Sequence, residues 1–331
     1  MNEIIKNRLE LGLFPSPLHK LNNLSKQYPD NNIYIKRDDL TDMATGGNKV
    51  RKLEYLLYDA VENGCSSILT SGAQQSNHCR QTAAACSRLG LACHLLMSGN
   101  EPDKYTGNLL LSKLLGAQIH FTGKGKKESD LDSFKKDLEE RHPKNKHYLI
   151  PLGGSSLLGA VGFINAVNEL KKQINSMNIK IDYIFFGSSS GSTQAGLMLG
   201  KELYHLDVEL VPINIDKTDF KGVSLEKKIL KLVQEGAKTF GLDQKYELND
   251  IPLVRDYSHA GYGIILENER MAFKTLAKRE GILLDPIYSA RAFGGMLDYL
   301  DKQKIEKGKN ILFWHTGGFP EILTHGNELL K

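Results

Sequence analysis

A lysine follows two glycines at the start of a predicted helix, in the run Gly46-Gly47-Asn48-Lys49-Val50-Arg51-Lys52. Glycine backbone lets a bulky planar ligand approach the main chain closely. An ordinary lysine is neutral in only about one molecule in 2,500 at pH 7. A reactive lysine must therefore be desolvated, placed beside positive charge or stored as a Schiff base with a carbonyl cofactor. Lys49 is thus the first candidate for chemistry.

A serine-rich segment supplies a candidate phosphate site. It reads Gly187-Ser188-Ser189-Ser190-Gly191-Ser192-Thr193 and lies between an apolar run at residues 183–186 and a predicted helix at 195–204. The N–H groups and dipole at a helix start bind phosphate without a large cation. The segment has neither the nucleotide triphosphate spacing, which needs a lysine where Ser192 stands, nor the dinucleotide spacing. It predicts a single phosphate, and with Lys49 it indicates pyridoxal phosphate.

A third polar segment, Gln74-Gln75-Ser76-Asn77-His78, precedes a predicted helix at residues 77–89. Ser76 lies 27 residues beyond Lys49, the length of one helix, a turn and a strand, so both can face one cleft. Backbone N–H groups at this helix start could bind a substrate carboxylate. Near the other end of the chain, residues 285–289 and 315–318 add a phenol and two hydroxyls.

Six motifs in this order resemble the D-cysteine desulfhydrase and 1-aminocyclopropane-1-carboxylate (ACC) deaminase family. They lie at residues 46–54, 75–81, 191–196, 261–263, 284–288 and 315–318, and the resemblance runs from about residue 15 to residue 320. The family belongs to the tryptophan synthase β-like, fold type II group of pyridoxal phosphate enzymes. The resemblance therefore implies an α/β fold of two lobes, with parallel-type sheets flanked by helices in both, and a homodimer.

The resemblance also implies a role for each motif residue. Lys49 would form the Schiff base and then act as the base at Cα, and Ser76 would lie near the substrate carboxylate and relay protons. Tyr262 and Tyr288 would lie near the substrate β-position and complete the catalytic set. The cofactor-binding set is Lys49, Asn77, Ser189, Ser190, Gly191, Ser192, Thr193, Ser289 and Thr316. The substrate-binding set is Gln75, Ser76, Asn77, His78, Tyr262 and Tyr288.

Two of these positions distinguish members of the family. Deaminases proper carry Glu after the second tyrosine and Leu before the Gly-Gly pair, whereas this chain carries Ser289 and Thr316, as similar desulfhydrases carry hydroxyls. A carboxylate opposite the pyridine nitrogen favours its protonated form and makes the ring a stronger electron sink. Opening an unactivated cyclopropane needs that sink more than expelling sulfide does. We therefore expect β-elimination, converting D-cysteine and water to pyruvate, hydrogen sulfide and ammonia.

Other functions remain open at this point. ACC deaminase is the nearest alternative, and a dehydratase or racemase acting on D-serine would share the step at Cα. A protein that binds an amino acid or the cofactor without turnover is the most distant alternative, because a site can persist while its reaction changes.

The composition agrees with a globular enzyme. The chain has 331 residues, of which 40% are hydrophobic, and its net charge of +4 gives little reason to expect nucleic acid. Its four cysteines form no CxxC pair, and we expect neither disulfides nor a metal site. The first residues lack an apolar signal core, and no stretch approaches the roughly 20 apolar residues of a membrane span. We therefore expect a cytoplasmic location.

Extended and helical patterns alternate along the chain, which is typical of parallel α/β units. Extended runs lie at residues 67–69, 92–96, 118–121, 148–152, 183–186, 209–215 and 311–314, and long helices at 50–61 and 158–174. Family likeness divides the chain into a large cofactor-binding domain, residues 1–51 and 160–331, and a small domain, residues 52–159. Residues 153–156 are the hinge candidate between them.

Overall fold

The computed structural model describes residues 3–123, 131–216 and 222–331. Within them lie nine strands: β1 (Leu18–Lys20), β2 (Asn32–Arg37), β3 (Ser67–Gly72), β4 (Ala92–Met97), β5 (Gln118–Phe121), β6 (His147–Leu149), β7 (Tyr183–Ser188), β8 (Glu209–Asn214) and β9 (Asn310–His315). The helices are α1 (Glu3–Lys6), α2 (Asn22–Gln27), α3 (Lys49–Glu62), α4 (Asn77–Leu89), α5 (Gly107–Leu114), α6 (Leu131–Arg141), α7 (Leu157–Ser176), α8 (Ser192–Leu203), α9 (Leu225–Phe240), α10 (Glu267–Glu280), α11 (Ser289–Asp301), α12 (Phe319–Ile322) and α13 (Gly326–Leu330).

The strands form two sheets. One has five strands in the order β1-β2-β9-β7-β8, and the other has four in the order β5-β4-β3-β6. Every pairing is parallel except that of the edge strand β1, which runs antiparallel to β2. The predicted α/β class with parallel-type sheets and flanking helices is confirmed. The sequence patterns did not predict β1 or β2.

One predicted strand is shorter than expected. The extended run at residues 148–152 is a strand only over β6, after which Leu152–Gly154 forms a turn of 3-10 helix. Gly153 and Gly154 adopt positive φ angles of 64° and 65°, which end the extended conformation. The hinge candidate at residues 153–156 thus leads from a parallel strand into helix α7.

Helix α3 shows how apolar spacing sets the packing. Val50, Leu53 and Leu57 are fully buried on one face against the four-stranded sheet and α4. Val61 was predicted on the same face but is 40% exposed, because the last turn of the helix extends beyond that core. A second core lies around α7 and α8 and includes Phe163.

The domain boundaries remain a prediction. The position 51/52 falls inside α3, and the position 159/160 falls inside α7. These two helices pack against each other, so the two sheets are connected through a continuous helical layer. None of the helices in residues 3–123, 131–216 and 222–331 has both the length and the apolar character needed to cross a membrane.

Candidate active site

A cavity of about 750 Å³ lies where the carboxyl ends of β3, β7 and β9 lead into loops. Loops that follow parallel strands meet at one edge of a sheet, which is where α/β proteins place their ligands. The cavity brings together eleven of the predicted site residues: Lys49, Ser76, Asn77, His78, Ser189, Ser190, Gly191, Thr193, Tyr262, Tyr288 and Thr316. Gln75, Ser192 and Ser289 are placed outside this lining.

Lys49 is the first residue of α3, and its side chain reaches the cavity. Desolvation lowers the pKa of its amine to about 8, while hydrogen bonding with Lys52 opposes that shift. A β-carbon placed on Gly153 would lie 3.7 Å from Lys49 Nζ and 2.7 Å from Ser190 Oγ. The amine therefore lies next to the serine-rich loop, and a much larger fraction of it is neutral at pH 7 than in an ordinary lysine.

The backbone before Lys49 is left-handed over six successive residues. Their φ angles, from Asp42 to Gly47, are 63°, 59°, 52°, 72°, 67° and 134°. A β-carbon on Gly46 would lie 2.1 Å from the Asp39 carbonyl oxygen, and one on Gly47 would lie 2.3 Å from Gln81 Nε2. The two glycines are thus required by backbone conformation and close packing, a reason that differs from the ligand approach inferred from sequence.

The serine-rich loop has the geometry of a phosphate site. It connects β7 to α8, and Gly191 at the helix N-cap brings no side chain to accept from the first N–H groups of the helix. Gly191 has φ 101°, and a β-carbon there would lie 3.1 Å from Ile229 Cγ1. Thr193 Oγ1 accepts a hydrogen bond of 3.4 Å from Asn48 Nδ2, which ties the loop to the residue before Lys49. An anionic group such as a cofactor phosphate fits here.

Ser192, although in the predicted set, faces away from the cavity. Its hydroxyl accepts from Lys52 Nζ at 2.8 Å and donates to the Gly154 carbonyl at 3.2 Å. Lys52 is itself buried, also donates to the Gly153 carbonyl, and has its pKa lowered well below the ordinary value by burial and by Lys49. Lys52 is a functional candidate that the sequence reasoning missed, although its position three residues after Lys49 on one helix face was a usable signal.

Ser76 and Asn77 open helix α4. Ser76 is the N-cap, and its hydroxyl accepts from Cys79 N at 3.2 Å. Asn77 Oδ1 accepts from Asn108 Nδ2 at 2.9 Å, which leaves the Asn77 NH₂ group as the donor for a ligand. The Gln75 side chain is bound within the protein. Its Nε2 donates to the Thr106 carbonyl at 3.1 Å, and its Oε1 accepts from Asn108 N at 2.9 Å.

His78 is a neutral imidazole of defined tautomer. Its Nε2 lies 2.9 Å from Thr70 Oγ1, and that hydroxyl donates its hydrogen to the Ile150 carbonyl at 2.8 Å. Nε2 must therefore carry a proton, and Nδ1 is left as an acceptor without a partner among the described residues. Burial, then Lys49 and Lys52, hold the pKa of His78 well below its usual range.

Two tyrosines, Tyr262 and Tyr288, also line the cavity. The Tyr288 hydroxyl donates to the Tyr262 hydroxyl at 2.9 Å, and the rings meet edge to face with centroids 5.7 Å apart. Burial and then the neighbouring Tyr262 raise the pKa of Tyr288 well above its usual value. Tyr288 therefore stays protonated at neutral pH.

The two hydroxyls that distinguish family members are placed differently. Thr316 lines the cavity directly after β9. Ser289 is buried at the start of α11, where its hydroxyl donates to Asp285 Oδ1 at 2.6 Å. Asp285 also accepts from the Ser289 backbone N–H at 2.7 Å, so it caps the helix start and holds the serine side chain.

Comparison with known proteins agrees with this geometry. Residues 9–317 match the family described as pyridoxal-phosphate dependent enzyme. The chain is 38% identical over 326 residues to D-cysteine desulfhydrase of Salmonella paratyphi A, covering 96% of each. It is 35% identical over 325 residues to a Pyrococcus abyssi protein named provisionally as an ACC deaminase, covering 98% of this chain and 95% of that one. The crystal structure of an ACC deaminase homologue has a TM-score of 0.88 and 34% identity, covering 99% of this chain and 97% of the other.

Proposed function

The chain belongs to the family of pyridoxal-phosphate dependent enzymes, and from that premise we propose that it eliminates hydrogen sulfide from D-cysteine, with Lys49 as the base. One observation carries the proposal. The Lys49 amine, with its pKa lowered to about 8, lies beside the serine-rich loop and in the same cavity as the two tyrosines. A general base works best when its pKa lies near the working pH.

The residues around the cavity would hold the cofactor by its separate groups. When bound, pyridoxal phosphate supplies an aldehyde and a ring that accepts the electrons left at Cα. Backbone N–H groups of residues 189–193, at the start of α8, would hold the phosphate, and the Asn77 NH₂ group would donate to the ring hydroxyl. Thr316 would be the partner of the ring nitrogen, a role we assign to it rather than to Ser289 because Asp285 holds the Ser289 hydroxyl.

The remaining groups bind and convert the substrate. Backbone N–H groups at the start of α4, around Ser76 and Asn77, bind the substrate carboxylate. Lys49 removes the proton from Cα, and the electron pair left there forms the Cα–Cβ double bond as the carbon–sulfur bond breaks. The Tyr288 hydroxyl, which is protonated at neutral pH, turns its hydrogen from Tyr262 to the departing sulfur. Water then completes the conversion to pyruvate and ammonia.

The choice of D-cysteine over ACC rests on the hydroxyl at the ring nitrogen. Neither Thr316 nor Ser289 carries a negative charge that would stabilise a protonated pyridine. The weaker electron sink suffices for a substrate whose own leaving group takes the charge. ACC lacks an α-hydrogen and keeps its carbon–carbon bond under these conditions. Location in the cytoplasm, expected from the sequence, and assembly as a homodimer, which rests on family likeness, are part of the same proposal.

A substrate panel tests the reaction. Purified protein loaded with pyridoxal phosphate is given D-cysteine, L-cysteine, D-serine and ACC, and sulfide and keto acid are measured. We expect sulfide and pyruvate in equal amounts from D-cysteine, at rates at least tenfold above the keto acid from the other substrates. Ketobutyrate formed from ACC as fast as pyruvate from D-cysteine would contradict the proposal in favour of ring opening. Formation of L-serine from D-serine would contradict it in favour of racemisation.

The role of Lys49 has its own test. Borohydride reduction followed by peptide mapping is expected to place the cofactor on Lys49, and Lys49→Ala is expected to lower kcat by at least about 10³-fold. Lys238→Ala, in the exposed last turn of α9, is the matched control and should keep full activity. Cofactor trapped on another lysine, or turnover retained by Lys49→Ala, would show that Lys49 is not the base.

A further inference from the structure

Arg80 on α4 is a buried cation bound to neutral acceptors. Its guanidinium donates to Asn108 Oδ1 at 2.7 Å, to Thr45 Oγ1 at 2.8 Å and to the Gly46 carbonyl at 3.0 Å, and it also donates to the Ala44 carbonyl. In residues 3–123, 131–216 and 222–331, no ion pair involves this side chain. A buried charge normally has a carboxylate partner, so its position here calls for a reason.

One group of these bonds stabilises the left-handed turn that precedes Lys49. Left-handed backbone is unfavourable for residues with a β-carbon and persists only where the surroundings determine it. Arg80 binds Ala44, Thr45 and Gly46, all at positive φ, and thus stabilises three of the six residues in the turn. The turn is followed by Asn48, the N-cap of α3, and then by Lys49, the first residue of that helix.

The other bond sets the orientation of Asn77. A guanidinium has only donors, so Asn108 must turn its oxygen towards Arg80 and its NH₂ group away from it. That NH₂ group donates to Asn77 Oδ1 at 2.9 Å and to the Gln75 carbonyl at 2.9 Å. Asn77 must therefore present its oxygen to Asn108 and its own NH₂ group to the cavity.

We propose that Arg80 is a positioning residue for the cofactor site, since one cation fixes both the Lys49 amine and, through Asn108, the donor group of Asn77. The inference rests on the proposed roles of Lys49 and Asn77. Beyond those roles, we infer that Lys49 on α3 and Asn77 on α4 are aligned by the single side chain of Arg80, which touches neither cofactor nor substrate.

The first test uses Arg80→Gln, with Arg88→Gln as its control. Arg88 lies on the same helix and also donates to a backbone carbonyl, that of Leu11, away from the cavity. In the cofactor-free protein, amide hydrogen exchange reports on Gly47, Asn48 and Val50, whose N–H groups bind Thr41 Oγ1, Thr316 O and Gln81 Oε1. We expect Arg80→Gln to speed this exchange at least about tenfold, and Arg88→Gln to leave it unchanged.

The same variant is expected to change the pH dependence of cofactor capture. A loosened turn hydrates Lys49, so its pKa rises from about 8 towards the ordinary value. The midpoint of the capture rate against pH, measured on the cofactor-free protein, should rise by about one unit. An unshifted midpoint would show that Arg80 does not set the environment of the Lys49 amine, whatever its effect on exchange, and would overturn the proposal.

Asn108→Asp tests the path from Arg80 through Asn108 to Asn77. It also keeps the proposal testable if Arg80→Gln does not fold. The aspartate keeps an acceptor for Arg80 but has no donor for Asn77, so Asn77 must reverse its amide and turn its oxygen to the cavity. We expect the dissociation constant of pyridoxal phosphate to rise about tenfold with exchange in the turn unchanged. Unchanged cofactor affinity would disprove the relay. Borohydride trapping on a lysine other than Lys49 would refute the proposed base, whereas the exchange result judges Arg80 independently.

Discussion

Two buried arginines support two different parts of the cavity lining, and they differ in how their charge is balanced. Arg291 on α11 donates to the carbonyls of Ile215, Gly261 and Ile264 and thereby holds the segment that carries Tyr262. It is also paired with the buried Glu269 at 2.6 Å. Arg80 binds backbone in the same way but pairs with no carboxylate among the described residues. The tyrosine wall, formed by Tyr262 and Tyr288, is therefore supported by a neutral ion pair. The lysine wall, formed by Lys49, Ser76 and Asn77, is supported by a cation that is unpaired in the described part of the chain.

This difference matches what each wall is proposed to bind. Burial lowers the pKa of Arg80 to about 10, so the guanidinium is still charged at neutral pH. The lysine wall, formed by Lys49, Ser76 and Asn77, is proposed to receive anionic groups of cofactor and substrate, which an uncompensated cation nearby stabilises. The tyrosine wall, formed by Tyr262 and Tyr288, is proposed to receive the β-substituent, for which a neutral hydrogen-bonded pair is suited.

Replacing each arginine by methionine is expected to give the largest difference between the two walls, measured as the free energy of unfolding. Arg291→Met leaves Glu269 buried without its partner and is expected to lower the free energy of unfolding by about 3–5 kcal/mol. Arg80→Met leaves only neutral acceptors unpaired, for which about 1–3 kcal/mol is expected. Urea unfolding of the two variants measures both values. A loss at Arg80 equal to or above that at Arg291 would mean that the two charges are balanced alike.

A smaller effect is expected from the glycine that precedes the lysine wall. Gly47→Ala places a β-carbon 2.3 Å from Gln81 Nε2 at φ 134°. Gly90→Ala, at φ 69° after α4, meets nothing within 4 Å and serves as the matched control. The control should lose about 1 kcal/mol of unfolding free energy from left-handed backbone alone. Gly47→Ala should lose about 2–3 kcal/mol by the same urea measurement and also lose turnover. Equal losses would show that the turn yields to the added methyl group.

Motif content made the family, the fold class and the cofactor predictable from the sequence, and all three are confirmed. The roles assigned to the site residues stay predictions, although eleven of these side chains line one cavity. What the sequence could not indicate was the direction of a side chain. Ser192 and Ser289 sit within cofactor-binding motifs, yet their hydroxyls bind Lys52 and Asp285. Side-chain direction depends on partners that lie far away in the chain, and spacing does not reveal them.

The supporting residues were missed for the same reason. Arg80 and Asn108 acquire their importance only when α4, α5 and the left-handed turn come together in three dimensions. Strand β1 was missed because it has only three residues and lies at an edge, where little burial imposes a pattern. The sequence motifs therefore indicate the residues proposed to contact ligands. The residues that orient those side chains can be recognised only from the three-dimensional structure.

The smallest expected difference between the walls is their response to acid. The sheet beneath the lysine wall carries His94, His120 and His147 on β4, β5 and β6, with His94 Nδ1 3.4 Å from His120 Nε2. Burial, then the neighbouring histidines, lower the pKa of His94 to about 4, against about 6.5 in the unfolded chain. Between these values the unfolded state binds more protons, so stability falls as pH falls from about 6.5 to about 4.

Hydrogen exchange measured strand by strand reports this response. Protection of β4 and β5 should decrease between pH 6.5 and pH 4.5 more than protection of β7 and β8, after correction for intrinsic exchange rates. Helix α6 packs on this sheet and carries the pairs Lys135–Glu139 and Asp137–Arg141. Asp137 favours protonation of His120 and Glu139 favours protonation of His147, but burial outweighs both carboxylates and the pKa of each histidine is lowered. His94→Phe removes the imidazole whose pKa is lowered to about 4. This variant should reduce the difference between the two sheets in how much protection they lose at low pH. A difference that persists in this variant would assign the acid response to other groups.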